Sequence, residues 1–359
     1  MNQVRILVDS LADQDLLNAQ MGNAREIMSR LDERFQVTTF TSGSPDPRLV
    51  RPNVRLVSLP KKRQTLPILR EFIWGRHDMI FYVKSSPAAR IYLQMRPKRF
   101  ARKIVIGLVE SQSDLRNEPT IAPEAVALWE RTILRSDILF SNSAAVQASL
   151  QKEYGLGSEV ISTGVDTKFF TPRWDRPLNA RLRILFVGSL RPFKGPQLLV
   201  RAASLFPAVQ FVIVGDGVMA RELHAEVSDR RLDNVIFRGI LRPEELREEY
   251  RQADIFLFPS KWEGSPKVIL EASACGLPVI ARNDYRPETV VDGETGLLGA
   301  SDDELLERLT TLLKNSELRM RMGRRARSYS EQFDWNLITS RWQEIFVRLA
   351  ADRNKVSRS

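Results

Sequence analysis

The chain has 359 residues, 43% of them hydrophobic and 27% charged, and carries a net charge of +10. That length suffices for two domains of ordinary size, and no stretch approaches about 18 consecutive apolar residues, so nothing is expected to span a membrane. Cys275 is the only cysteine, which excludes an intrachain disulfide, and with only two histidines beside it no protein-borne metal site is expected.

The start, MNQVRILVDSLADQD, turns acidic too early for a signal peptide and reads as a first strand over Val4–Val8. With no disulfide to form, a reducing cytoplasm is the expected location. A loop carrying one glycine, Gly22, then leads into a helix with Ile27, Met28 and Leu31. Strands are expected over Phe35–Phe40 and Val54–Leu59, an amphipathic piece over Leu66–Trp74, and strands over Met79–Val83 and Ile104–Val109. No acidic residue lies between Asp78 and Glu110, where Lys84, Arg90, Arg96, Lys98, Arg99, Arg102 and Lys103 alternate with Ile91, Tyr92, Leu93, Met95 and Phe100. Such a stretch suits anionic lipid headgroups or is a solvated rim; nucleic acid is the less expected partner.

Pro123–Arg135 is helical by period, Asp137–Phe140 is a further strand, and Pro172 to Pro177 reads as a linker. A second series of strands follows. Ile184–Val187 ends in Gly188 and a turn holding Ser189, Arg191 and Lys194. Val209–Val214 ends in Gly215, and Val235–Leu241 includes Gly239 and Ile240. Helices are expected over Arg221–Val227, Pro243–Ala253, Asp302–Asn315 and Trp335–Ala350, and an exposed helix face over Arg319, Arg321, Arg324, Arg325 and Arg327. Strand and helix alternate twice over, which argues for two doubly wound parallel sheets.

The stretch Phe258–Ala281, FPSKWEGSPKVILEASACGLPVIA, holds the chemistry. The apolar run Ile255–Phe258 fits a buried parallel strand. Ser265 is expected as N-cap with Pro266 at the first helical position, Val268–Ala274 as helix and Gly276 as its end. Glu263 and Glu271 then stand on the order of 10 Å apart along the backbone, too far to share one water at a glycosidic bond. Lys267 and Val268 offer free backbone N–H groups at a helix N-terminus, where pyrophosphate is favoured. The plainer alternative makes Glu263 a helix cap and Glu271 a solvated helix residue.

This stretch resembles the signature of the retaining glycosyltransferases of family 4: two glutamates separated by seven residues, a small-residue run and GLPV. STGVDTKFFTP, the Lys194-Gly195 turn, VIFRGIL and the Asp-Gly-x-Thr-Gly of residues 292–296 match the same family in order. The resemblance implies a GT-B fold, two Rossmann-like domains facing across a cleft, here residues 1–172 and 173–334, with a crossover helix in 335–359. It implies transfer of a sugar from a nucleotide sugar to a glycan, lipid-linked or small-molecule hydroxyl, with retention and without metal or other cofactor. Arg191 and Lys194 would grip the diphosphate, Glu263 the sugar and Glu271 the ribose. Gly22, Gly188, Ser189, Gly215, Gly239, Ile240, Gly264, Ser265, Pro266, Lys267 and Val268 would line the donor site. Glu110 stands where relatives carry a histidine, Ser189 where they carry an arginine, and Tyr285-Arg286 where they carry paired glycines. A nucleotide-sugar-binding subunit without turnover, or a basic interaction protein on the same fold, are the alternatives. Lys84–Lys103 could bring the protein to the inner face of the membrane.

Overall fold

The computed structural model describes residues 3–14, 19–82, 84, 86–95, 103–110, 122–175 and 181–356. It divides into two units, Met1–Ser162 with Trp335–Ser359 and Thr163–Asp334. Val83, Arg96, Lys98, Arg99, Phe100, Arg102 and Pro177 lie outside the described residues.

The first unit alternates β1 (Val4–Leu11), α1 (Ala19–Arg30), β2 (Phe35–Thr41), β3 (Val54–Ser58), α2 (Thr65–Trp74), β4 (Met79–Phe81) and α3 (Pro87–Met95). It continues through β5 (Ile104–Val109), α4 (Pro123–Glu130), β6 (Ile138–Ser141), α5 (Ala144–Tyr154) and β7 (Glu159–Val160). The strands form one sheet, ordered β3-β2-β1-β4-β5-β6-β7, and its pairs are parallel, with Ile6 opposite Met79 and Val4 opposite Phe35. Ile6, Leu7, Val8, Met79, Ile80 and Phe81 are all buried, as parallel strands covered on both faces must be. The order reverses between β1 and β4, which makes their carboxyl ends the switch point where ligands bind in open sheets.

Two apolar cores flank this sheet. One is capped by a last helix that the chain adds after completing the second unit. Its buried side chains, Trp335, Ile338, Trp342, Phe346 and Leu349, recur at helical spacing. The Trp342 ring lies 4.7 Å from Phe81 and 4.8 Å from Phe140. The other core takes Phe72 of α2 and Tyr92 of α3, whose rings are 5.4 Å apart.

Tyr92 therefore does not face outward as part of a basic apolar stripe. Nor does Lys103, which is buried with its ammonium donating to the carbonyls of Glu71, Phe72 and Ile73. It satisfies the acceptor end of α2, where the helix leaves carbonyls without partners and a cation is favoured.

The second unit runs β8 (Arg183–Val187), α6 (Gln197–Leu205), β9 (Gln210–Val214), α7 (Ala220–Asp229), β10 (Val235–Gly239), α8 (Pro243–Gln252) and β11 (Ile255–Phe258). Then come α9 (Lys267–Ala274), β12 (Val279–Arg282), β13 (Gly296–Gly299), α10 (Asp302–Lys314) and α11 (Ser316–Ser330). The returning helix of the first unit is α12 (Trp335–Val356). Strand order is β10-β9-β8-β11-β12-β13, parallel, with the reversal between β8 and β11, where Ile255 lies opposite Ile184.

The division falls ten residues before the expected boundary at 172, for a clear reason. The Val165 amide donates to the Phe333 carbonyl at 2.9 Å. Thr167 bonds Asp334, Arg327 donates to the carbonyls of Thr167, Phe170 and Ala274, and Phe170 sits in this unit's core. Arg327 is thus not part of an exposed arginine face. Arg319 is half-buried too and donates to the last carbonyls of α10, Leu312 and Leu313, whereas Arg321, Arg324 and Arg325 are exposed. Among the described residues no helix is long and apolar enough to cross a membrane.

Candidate functional site

In the second unit the switch point is built from the turns after β8 and β11. A 3-10 turn over Pro192–Lys194 ends at Gly195 in the left-handed conformation and presents Lys194 beside the β11 turn. There Lys194 forms an ion pair with Glu263, and Ser260 donates to the same carboxylate oxygen at 2.6 Å. The Lys194 ammonium also lies over the rings of Phe193 and Phe258, 5.2 and 5.5 Å from their centroids, which adds cation–π attraction. Arg191 begins the same turn, is exposed, and has no carboxylate within ion-pair reach among the described residues.

The helix that follows starts one residue later than expected. Pro266 is the N-cap of α9, with extended backbone, and no side chain caps the helix. Ser265 is correspondingly not the cap: its hydroxyl oxygen is buried without a partner. The Pro266 carbonyl accepts the Ile269 amide at 3.1 Å, but proline has no side-chain acceptor, so the amides of Lys267 and Val268 are left to solvent or ligand.

Neither half of the plainer alternative holds. Glu263 caps nothing, and Glu271 is buried, held by the Tyr250 hydroxyl at 3.1 Å with the Lys267 ammonium at 3.9 Å. Burial pushes the Glu271 carboxyl up, against the charge of Lys267 and the bond from Tyr250. The same burial pushes the Tyr250 phenol well above its ordinary range.

Behind these turns the glycines serve close approach. The Gly188 amide donates to the Val214 carbonyl at 3.0 Å and that of Gly215 to Gly239 at 2.8 Å. A Cβ on Gly215, whose φ is +130°, would stand 1.9 Å from the Gly188 carbonyl oxygen. Ser189 is half-buried, Gly264 buried and Ile240 exposed.

The first unit carries a separate polar cluster at its own switch point. Asp9, in the carboxyl-terminal half of β1, is buried and accepts the Lys84 amide at 2.9 Å. Burial raises its carboxyl to about 6, against the backbone bond and charge of Lys84. Glu110, just past β5, accepts from the Tyr82 hydroxyl at 2.6 Å and from Asn23 at 2.9 Å. Burial raises it too, opposed by Tyr82, Asn23, Gln20 and Lys84. Burial lowers the Lys84 ammonium, mainly against Asp9. Tyr82 has a φ of +61°, a conformation that a bulky residue adopts at a cost and that clusters at functional sites. Gly22 lies within α1 rather than ahead of it, and a Cβ there would meet nothing within 4 Å, so no close approach demands it. Its neighbour Asn23 makes the contact.

Residues 173–329 match the family model described as glycosyl transferases group 1. The second unit belongs to that family. Similar curated proteins include the D-inositol 3-phosphate glycosyltransferase of Corynebacterium efficiens, 34% identical over 262 residues, 64% of this chain and 61% of the relative. The sulfoquinovosyl transferase of Arabidopsis thaliana is 28% identical over 76% of this chain and 57% of its own length. The chain thus spans about three fifths of the curated relatives it matches. Among solved structures, sucrose-phosphate synthase from Thermosynechococcus elongatus superposes with a TM-score of 0.81 at 21% identity, covering 98% of this chain and 100% of that one. Anabaena HepE in complex with UDP and glucose gives 0.76 at 19%, covering 96% and 100%. The fold is theirs, the GT-B class of the glycosyltransferases.

Against the group 1 pattern, the structure brings Gly188, Ser189, Lys194, Glu263, Gly264, Ser265 and Pro266 to one switch point of the second unit, with Lys267, Val268 and Glu271 on the adjoining helix. It sets Gly22 and Glu110 in the other unit. Sequence reading did not find Ser260, Tyr250, Asp9, Tyr82 or Asn23. Asp9 was findable, as an acid directly after an apolar run at the carboxyl end of a strand.

Proposed function

We propose that the protein is a retaining glycosyltransferase that moves a sugar from a nucleoside-diphosphate sugar to an acceptor hydroxyl without a metal ion. The observation that carries this is the Lys194–Glu263 pair at the β8/β11 switch point, beside the open start of α9 and the buried Glu271. Breaking the sugar–diphosphate bond leaves negative charge on phosphate, and preorganised donors at that position act most strongly when fixed beforehand. Lys194, Arg191 and the amides of Lys267 and Val268 supply them. Glu271, held by Tyr250, takes the ribose hydroxyls, and Glu263 orients the sugar. Glu110 and Asp9 are buried carboxylates for an acceptor hydroxyl. The structures of Anabaena HepE in complex with UDP and glucose and with UDP-glucose support a uridine nucleotide as the first to try.

Calorimetry and thermal shift against UDP, GDP, ADP and their sugars, in EDTA, test the reading. One nucleotide should bind and raise the melting temperature, and Lys194→Ala and Glu271→Ala should each abolish this. Glu263→Gln should keep nucleotide binding and lose roughly 10²–10³ in transfer rate. Binding of none of them would shift the protein to the basic interaction reading, and binding without turnover on any acceptor to a sugar-nucleotide-binding subunit.

We also propose a membrane contact, on a surface other than Lys84–Lys103 as first read. On α2, Leu66, Arg70, Ile73 and Trp74 are exposed at i, i+4, i+7 and i+8, one face of a helix. Lys61, Lys62 and Arg63 precede it, also exposed. Apolar anchors with flanking cations suit an anionic interface, and a lipid-linked acceptor would be met there. Flotation with phosphatidylglycerol vesicles should be lost in Trp74→Glu; equal flotation with neutral vesicles would count against the charge component.

A further inference from the structure

The side chain of Tyr285 is 1% exposed, and its hydroxyl has no hydrogen-bond partner. An unpaired buried hydroxyl costs free energy that a phenylalanine of the same shape would not. Its place is specific. Phe258 of β11 lies opposite Ala281 of β12, Glu263 is in the turn after β11, and Tyr285 is in the turn after β12, so neighbouring parallel strands deliver both to one end of the sheet. The charge of Glu263 is felt at the phenol, which burial already holds well above its ordinary range. The charge of Asp284 acts in the same direction, so the hydroxyl keeps its proton and stays a hydrogen-bond donor.

In the free protein Glu263 has Lys194 and Ser260 as donors and leaves Tyr285 unused. A diphosphate at the start of α9 competes for Lys194 and leaves the half-buried carboxylate short of a donor. We propose that Tyr285 is a positioning residue for Glu263: its hydroxyl takes up the carboxylate when a bound diphosphate draws Lys194 away. The inference rests on the reading of Lys194 as the diphosphate grip. It explains why an uncompensated hydroxyl persists in an otherwise closed core.

Inorganic pyrophosphate, which carries the diphosphate without a base or sugar, is the probe. Its dissociation constant is measured by calorimetry for the wild type, Tyr285→Phe, Glu263→Gln, the double variant and Lys194→Ala, with melting temperatures of the free proteins. Tyr285→Phe should melt at or above the wild-type temperature, since the free protein loses only an unpaired hydroxyl, yet bind pyrophosphate about threefold to tenfold more weakly. Glu263→Gln frees Lys194 and should bind more tightly, and in that background Tyr285→Phe should change nothing. Equal affinity in wild type and Tyr285→Phe, with binding lost in Lys194→Ala, would overturn the role of Tyr285 and leave the grip standing. No binding in the wild type would overturn both.

Discussion

Asp9 keeps its proton to about pH 6 because the strand end that holds it is closed to water, whereas its ordinary value is 3.8. A folded-state value above the unfolded one means that the folded chain binds the extra proton between the two. Stability from this group is therefore full below about pH 4 and is lost as pH rises through 6. At roughly 1.36 kcal/mol per pH unit the difference is about 3 kcal/mol. Asp9→Asn, which can still accept the Lys84 amide, should abolish that loss, so the two proteins' urea stabilities should diverge between pH 4 and 7 in favour of the variant. At Gly215 the constraint is steric. Gly215→Ala places a methyl group on the Gly188 carbonyl and forces a side chain into a left-handed backbone, a strain of about 1–3 kcal/mol before the clash is counted, read as a lowered urea midpoint. Residue identity was legible here, since Gly215, Glu263, Glu271 and Lys194 all stood out in the sequence. Their partners were not. The Lys194–Glu263 bond joins positions 69 apart, and nothing local in either segment specifies which cation meets which carboxylate.

At the scale of elements, strands and helices were readable because buried parallel strands are continuous apolar runs and because Gly and Pro punctuate them. Their ends were less so. At α9 a Ser-Pro pair fits two registers of the helix start, and only packing selects Pro266 as the cap. The arginines of α11 look alike in sequence, yet Arg319 and Arg327 satisfy carbonyls of other segments while their neighbours face solvent. Arg327→Ala should therefore cost about 1.5–3 kcal/mol, through hydrogen bonds made by a charged group, and Arg324→Ala less than about 0.5 kcal/mol; paired urea melts check the contrast. Trp342, fully buried on α12 against Phe81 and Phe140, should cost about 3–5 kcal/mol when cut to alanine.

For the molecule as a whole, two units with separate cores need not melt together. A nucleotide held by the second unit should raise that unit's transition, by about 2.7 kcal/mol at a hundred times the dissociation constant, and scanning calorimetry with and without ligand reads this directly. The two-unit plan followed from the repeated alternation of strand and helix, but the boundary did not, because Gly164–Pro172 has no pattern of its own and is claimed by contacts with Arg327, Phe333 and Asp334. The return of α12 to the first unit also sets an order on synthesis. On the ribosome the second unit, continuous from Thr163 to Asp334, is complete before α12 has been made. The first unit, begun earlier, waits with Phe35, Phe81 and Phe140 uncovered through more than 170 further residues, roughly 9–35 s at 5–20 residues per second. The half translated first is the half finished last, and for that interval it is the natural client of a chaperone.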